Sequence, residues 1–101
     1  MTGPCFEVVV YEVAETAAAD VERQLARERI MAFPRFISWT PLSGIEDART
    51  RVDLVVWSCL EVAVAAGKKV GTAAEFAAFR NTINHVAAMG HYTSTAAPLQ
   101  L

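Results

Sequence analysis

The sequence predicts an α+β domain in which one four-stranded antiparallel sheet carries helices on one face. Four short segments are rich in β-branched and aromatic residues, and segments with helical spacing of apolar residues separate them. Their order is β-α-β-β-α(α)-β, which is the split β-α-β, or ferredoxin-like, arrangement. A length of 101 residues suits a single domain over 1–101.

Composition excludes several classes of protein. A hydrophobic share of 53% is too high for a largely disordered chain. Nine lysines and arginines stand against eleven acidic residues, so we expect no nucleic-acid partner. No apolar run approaches the ~20 residues of a membrane-spanning helix, and residues 1–5 lack the basic start of a signal peptide. We expect no membrane partner, free thiols at Cys5 and Cys59, and a cytoplasmic location.

The first predicted strand, Phe6 to Val13, contains the run Val8-Val9-Val10. Alternate side chains of a strand point to opposite faces. Both faces are apolar here: one carries Phe6, Val8 and Val10, and the other carries Val9, Tyr11 and Val13. A strand of this kind usually lies in the middle of a sheet.

A helix follows, with Thr16 as the expected N-cap and an end near Ala32. The expected apolar side consists of Ala18, Val21, Leu25 and then Ile30 or Ala32. Pro34 disfavours helix at the residue before it and ends the segment.

The second and third strands are predicted over 35–42 and 51–57. Pro41 cannot donate to a sheet ladder, so the second strand ends there, bulges, or lies at an edge. In the third strand, Val52, Leu54 and Val56 share one face, and Arg51, Asp53, Val55 and Trp57 share the other.

Two capping boxes then predict two helices. Ser58-x-x-Glu61 begins a helix that stops or kinks at Gly67, and Thr72-x-x-Glu75 begins another with Phe76, Phe79 and Ile83 at helical spacing. The alternative extends the third strand through Val62 and Val64.

The last strand is predicted over 85–94, with His85, Ala87, Met89 and His91 on one face. A four-stranded sheet with helices on one side leaves its other face bare, and neither face of the central strands is polar. Soluble monomers rarely expose such a patch. We therefore expect a homodimer that packs sheet to sheet.

Several of these segments also resemble a known family. They are the third strand ending in Trp57-Ser58-x-x-Glu61-x-Ala63, then Phe76-x-x-Phe79, then a closing strand with Gly90-His91-Tyr92. They resemble the dimeric α/β-barrel superfamily, and within it the antibiotic-biosynthesis-monooxygenase-like group, from Phe6 to about Thr93. The resemblance implies a pocket between sheet and helices in each subunit.

In that group the pocket serves cofactor-free oxygenation of polycyclic aromatic compounds, haem degradation, or isomerisation and binding. Haem-degrading members carry an asparagine on the first strand, where this chain offers Glu7, Tyr11 and Glu12. We expect no cofactor.

His91 and Tyr92 are the candidate catalytic residues, because a histidine titrates near neutral pH and can move a proton from a phenolic or enolisable ligand. The candidate ligand-binding residues are aromatic or can donate hydrogen bonds: Tyr11, Trp39, Trp57, Phe76, Phe79 and His85. For each, packing in the core or at the subunit seam is the alternative. We expect no metal site, because six strand residues separate the histidines by about 20 Å.

Two functional hypotheses follow. The first is a dimeric protein that binds a small apolar or aromatic molecule and oxidises it without a bound cofactor. The second is a non-catalytic interaction or structural homodimer, in which the same residues only pack the core and the seam.

Overall fold

The computed structural model describes residues 3–101. Residues 1 and 2, which belong to the signal-peptide expectation, lie outside this range. The elements in chain order are β1 (Cys5–Val13), α1 (Thr16–Ile30), β2 (Phe36–Ser43), β3 (Thr50–Trp57), α2 (Leu60–Thr72), a 3-10 turn (Ala74–Phe76), α3 (Ala77–Thr82) and β4 (Ile83–Tyr92). No helix of the described part is both long enough and apolar enough to cross a membrane.

The four strands form one sheet in the order β2-β3-β1-β4, and every neighbouring pair is antiparallel. This confirms the predicted ferredoxin-like α+β fold. β1 lies between β3 and β4, as its two apolar faces predicted. β2 is an edge strand and continues through Pro41 to Ser43, because an edge position leaves the missing N–H of a proline without consequence.

The two faces of the sheet differ in what covers them. The side that packs against the helices, here called the inner face, buries Cys5, Glu7, Tyr11 and Val13 of β1 together with Arg51, Asp53, Val55 and Trp57 of β3. The opposite side, the outer face, carries Phe6, Val8 and Val10 beside Val52, Leu54 and Val56. The outer face is thus an apolar surface with no helix over it.

Helix α1 differs from its prediction in both cap and face. Glu15, not Thr16, is the N-cap, and its carboxylate accepts a hydrogen bond from the Ala18 N–H at 2.7 Å. The buried side consists of Ala19, Arg23, Ala26 and Ile30, whereas Val21 is 59% and Leu25 37% exposed. The helix turns a narrow alanine face to the sheet because Arg23 finds a buried partner there.

Neither predicted capping box forms. Cys59 is the N-cap of α2, and the Ser58 hydroxyl has no hydrogen-bond partner among residues 3–101. The helix continues past Gly67, and Thr72 ends it by donating its hydroxyl to the Lys68 carbonyl. Val62 and Val64 lie in α2, so the alternative of a longer β3 is wrong.

A bulge in β4 changes the expected faces of the two histidines. The register against β1 shifts between Val10 and Tyr11, where Ala87 has no partner. His91 therefore pairs with Glu7, an inner-face residue, while His85 pairs with Glu12 on the outer face. The prediction that His85 and His91 share one face is wrong.

The core lies between the inner face and the helices, around Trp57. Its ring contacts Phe33 and Phe36 at centroid distances of 6.3 and 5.6 Å, and Phe33 meets Phe76 edge-on at 5.8 Å. Such aromatic pairs add about 0.5–1.5 kcal/mol each beyond the area they bury. These aromatic rings join β2, β3 and the segments beside them into one core cluster.

Candidate functional site

A cavity of about 270 Å³ lies between the inner face and the helices. Every strand and helix contributes to its wall, which is mostly apolar. Its lining residues are Glu7, Val9, Tyr11, Ile30, Trp39, Asp53, Val55, Trp57, Ala66, Gly67, Val70, Gly71, Phe79, Arg80, Ile83, Val86 and Met89. Val86 and Met89 of β4 are about half exposed, so the cavity opens to solvent beside the edge strand.

Glu7 is one of the polar residues that β1 places in the sheet wall. It is only 8% exposed, and its Oε1 accepts a hydrogen bond of 3.0 Å from the Trp57 indole N–H. Burial raises the pKa of Glu7, and the nearby charge of Asp53 adds to this, while the Trp57 hydrogen bond and His91 oppose it. Trp57 thus packs the core and also orients a buried carboxylate.

His91 approaches the same carboxylate from β4. Its Nε2 lies 4.0 Å from Glu7 Oε2, and the imidazole is 27% exposed. It also lines a shallow groove at the end of the sheet, here called the end groove, with Gly3, Pro4, Cys5, Leu60, Tyr92 and Thr93. His91 therefore sits between Glu7 and solvent.

A second carboxylate in the wall, Asp53, has both oxygens occupied. Its Oδ1 accepts from Arg23 Nε at 2.8 Å and from Arg23 Nη2, and its Oδ2 accepts from the Tyr11 hydroxyl at 2.8 Å. Arg23 Nη2 also donates to the carbonyls of Leu42 and Val52. Burial, and then the charge of Asp53, raise the pKa of Tyr11, so this phenol stays protonated and donates to Asp53.

Trp39 and Phe79 form the opposite part of the wall. Their rings meet edge-to-face at a centroid distance of 6.1 Å. The indole N–H of Trp39 is buried and has no hydrogen-bond partner among residues 3–101. Arg80 also lines the cavity, but its guanidinium donates to the carbonyls of Val70 and Ala73 at the end of α2.

The structure places four of the predicted ligand-binding residues, Tyr11, Trp39, Trp57 and Phe79, around this one cavity. Phe76 is fully buried in the core and does not line it. His85 lies on the outer face. Their roles in binding stay predictions.

The two candidate catalytic residues separate. His91 contacts the cavity through Glu7, while Tyr92 pairs with Phe6 on the outer face and lies over Gly90, where an added Cβ would meet the Tyr92 hydroxyl at 2.6 Å. The catalytic roles of both residues also stay predictions.

Sequence reasoning did not single out Glu7, Asp53 or Arg23 as site residues. A signal for the carboxylates was present, because Glu7 shares the parity of Tyr11 on β1, and Asp53 shares that of Trp57 on β3. A polar residue at the inward parity of a central strand must find a partner in the interior. Arg23 gave no such signal, because its burial depends on how α1 rotates against the sheet.

The cysteines and the potential metal ligands are the remaining side chains with reactive chemistry. Cys5 and Cys59 are both free. Burial, with smaller effects from Glu7 and Cys59, raises the pKa of Cys5, which disfavours the nucleophilic thiolate. Within residues 3–101 no three His, Cys, Asp or Glu side chains lie close enough together to hold a metal ion. The cavity thus combines an apolar wall with two indole rings and one buried carboxylate, Glu7. One oxygen of that carboxylate accepts no hydrogen bond from residues 3–101.

Comparison with known proteins shows that this chain is similar to several of them in structure. No protein-family model matches the sequence, and no curated protein does either. Among solved structures, SnoaB, a cofactor-independent oxygenase from Streptomyces nogalater, superimposes with a TM-score of 0.81 at 17% identity, covering 94% of this chain and 96% of its own. The monooxygenase ActVA-Orf6 of Streptomyces coelicolor, in complex with the ligand nanaomycin D, gives 0.70 at 21% identity, covering 99% and 94%.

A conserved protein from Methanosarcina mazei gives a TM-score of 0.64 at 10% identity over 90% of this chain and 92% of its own. Identities this low establish the fold, and a fold by itself does not carry an activity. The resemblance drawn from the sequence is therefore confirmed at the level of structure: this chain has the fold of the antibiotic biosynthesis monooxygenases.

Proposed function

We propose that the protein binds a small, largely apolar aromatic molecule in the inner cavity and oxidises it with dioxygen, without a bound cofactor, as a homodimer. The observation that carries this proposal is the cavity, whose apolar wall contains one buried carboxylate, Glu7, with an oxygen that accepts no hydrogen bond from residues 3–101. Small-molecule pockets commonly combine apolar walls with a few placed polar groups. A volume near the lower end of their usual ~300–1,000 Å³ suits one or two fused rings.

The reaction proposed for a phenolic ligand is its conversion to a quinone. One oxygen atom of dioxygen forms the new carbonyl on the ring. The other leaves as water with the hydrogens of the ring C–H and the phenol O–H. Four electrons pass from the ring to dioxygen, so no further reductant is needed. Removing the O–H proton makes the ring a better electron donor, and a buried base can therefore promote the reaction.

The fold neighbours support this choice of chemistry, because SnoaB is a cofactor-independent oxygenase and ActVA-Orf6 binds nanaomycin D. The two free thiols support a reducing compartment, and we place the protein in the cytoplasm.

Gly67 offers a direct test of the cavity. It lines the wall from α2, and a Cβ built on it meets no atom within 4 Å. In Gly67→Phe the ring would occupy the cavity, while replacing a glycine inside a helix favours the helix by up to about 1 kcal/mol. We expect Gly67→Phe to fold at least as stably as wild type but to lose binding of naphthols, which quench tryptophan fluorescence when bound. Gly67→Ala is the matched control and should keep binding.

Turnover is tested with the same ligands under ¹⁸O₂, in the presence of a metal chelator. The proposal expects one labelled oxygen atom in the product of the wild-type protein and none in the product of Gly67→Phe. Naphthol binding that persists in Gly67→Phe would place the ligand elsewhere and contradict the proposal.

The second candidate function is a non-catalytic homodimer, and the apolar outer face favours it. In that case His91→Ala and Tyr92→Phe should alter stability or dimerisation, and no hydroxyaromatic compound should consume dioxygen. Oxygen-electrode measurements with the wild-type protein separate the two functions.

A further inference from the structure

We infer that Glu7 Oε2 is the acceptor that selects a ligand with one aromatic or enolic O–H and takes its proton, and that His91 is a positioning residue that passes this proton to solvent. This inference rests on the proposed function and names the ligand class for the same cavity.

First, the two carboxylates of the cavity wall differ in the hydrogen bonds that their oxygens accept. Asp53 is held by Arg23 and by the Tyr11 hydroxyl, so both of its oxygens already accept hydrogen bonds. In the described part of the chain, Glu7 accepts one hydrogen bond, from Trp57 to Oε1. Within the described residues, the nearest charged partner of Oε2 is His91 at 4.0 Å, which is beyond direct hydrogen-bond length. Glu7 is therefore the carboxylate with capacity for a ligand.

The second step concerns the charges that face Glu7. Asp53 approaches from β3, and His91 approaches from β4. Two helix arginines near the cavity bond other groups: Arg23 bonds Asp53, and Arg80 donates to the carbonyls of Val70 and Ala73. On its own strand, Cys5 lies close enough for the two charges to interact. Among residues 3–101 no lysine or arginine forms an ion pair with Glu7, and burial raises the pKa of its carboxyl group.

The third step is the exit of the proton. Glu7 lines the cavity, and His91 lines the end groove, so the pair connects the two. The ligand O–H gives its proton to Glu7 Oε2, and the bonding electron pair stays on the ligand oxygen. Neutral Glu7 then gives the proton to His91 Nε2, which closes the 4.0 Å gap by a small shift or through one bridging water, and the imidazolium releases it to solvent.

The ligand class follows from these steps. A hydrogen bond from an O–H to a buried carboxylate is charge-assisted, and its loss leaves the carboxylate uncompensated. A ligand with one O–H should therefore bind better than the same ring without it. An anionic ligand should bind poorly, because Glu7 and Asp53 both face the cavity.

The experiment compares 2-naphthol with 2-methoxynaphthalene, two ligands of similar shape of which only the first donates an O–H. Affinities are measured by quenching of tryptophan fluorescence across a pH series. We expect wild type to bind 2-naphthol at least tenfold more tightly than the ether. The preference should grow as pH rises through the Glu7 pKa, because the carboxylate must be ionised to accept.

Variants of Glu7 and His91, with a control variant, test whether these residues cause the preference for 2-naphthol. In Glu7→Gln the preference and its pH dependence should disappear while the ether still binds, because an amide can still accept from Trp57. In His91→Ala the pH midpoint should move upward, since His91 lowers the Glu7 pKa. Glu12→Gln, changed on the outer face, is the control for both variants and should behave as wild type.

Each outcome decides between the two proposals. If neither ligand binds at millimolar concentration, the proposed function fails, and this inference fails with it. If both ligands bind wild type equally at every pH, Glu7 does not read the O–H, and ligand binding stands without this inference. A preference that survives in Glu7→Gln overturns the inference in the same way. The wild-type comparison keeps the test decisive if Glu7→Gln does not fold.

Discussion

Asp53 and Glu7 are both buried carboxylates on the inner face, yet their partners give them opposite tasks. Asp53 is neutralised by Arg23 and fixed by Tyr11, so it holds α1 to the sheet. Within residues 3–101, Glu7 accepts only from the Trp57 N–H, which leaves Oε2 for the proposed ligand. Environment, not residue type, separates a structural acid from a reactive one.

The Arg23–Asp53 pair gives a stability prediction. Both side chains are less than 10% exposed, so Asp53→Ala leaves a buried guanidinium without its partner. We expect a loss of about 3–5 kcal/mol in the free energy of unfolding, measured by urea denaturation. The double variant Arg23→Met with Asp53→Leu should recover much of that loss.

The control is Asp47→Ala, which removes an exposed partner of Arg49 and should change stability little. Equal effects of the Asp47 and Asp53 changes would show that the buried pair contributes no more than a surface one.

Arg35 gives a second prediction at this scale. It lies between α1 and β2 with φ at 59°, the left-handed region that favours glycine. Arg35→Gly should raise the free energy of unfolding by about 0.5–1 kcal/mol, because glycine relieves the strain of this backbone conformation. Arg35→Val should lower it, since a β-branched residue fits the region worst. A lower melting temperature for Arg35→Gly would contradict this.

At the scale of elements, the rotation of α1 is set by the group it buries. Ala26 is fully buried against the sheet, while Leu25 is 37% exposed. We expect Ala26→Leu to destabilise the protein by about 1–3 kcal/mol through overpacking. Leu25→Ala should lower the free energy of unfolding by less, because Leu25 is partly exposed. The apolar side predicted from the sequence would give the opposite order, because it buries Leu25. Denaturant titrations of both variants check the rotation, and the reverse order of effects would refute it.

The bulge in β4 decides which histidine lies beside Glu7. One unpaired residue, Ala87, reverses the parity of the strand segment before it relative to the segment after it. His91 and Met89 therefore stay on the inner face together with Val86, and His85 moves to the outer face. The bulge thus places His91 beside Glu7 and His85 on the opposite face of the sheet.

For the whole molecule, the outer face is an extended apolar surface over which the described residues place no helix. Four strands about 4.8 Å apart and eight residues at about 3.3 Å give a rectangle on the order of 500 Å², at the upper end of what monomers expose. Val8 and Leu54 pair directly at its centre. The proposed homodimer covers this surface and leaves the inner cavity of each subunit separate.

Leu54→Lys tests the dimer, because it places a charge at the centre of the proposed interface. We expect wild type to sediment as a dimer at micromolar concentration and Leu54→Lys as a monomer with retained circular dichroism. Val21→Lys on the exposed side of α1 is the control and should remain dimeric, because α1 covers the opposite face of the sheet. A monomeric wild type would rule the interface out.

The sequence by itself determined the order of the elements and the central place of β1, because these follow from local periodicity. For β2, proline chemistry left an edge position as one of three alternatives, and the structure selects it. The sequence also placed Tyr11, Trp39, Trp57 and Phe79 among the candidates that line one cavity. Tertiary structure alone decided the rotation of α1, the bulge at Ala87 and the pairing of Glu7 with Trp57 and His91. Glu7 and Trp57 are 50 residues apart, and Arg23 and Asp53, which set the rotation of α1, are 30 apart. A local pattern carries no information about which buried polar group will find which partner at such separations.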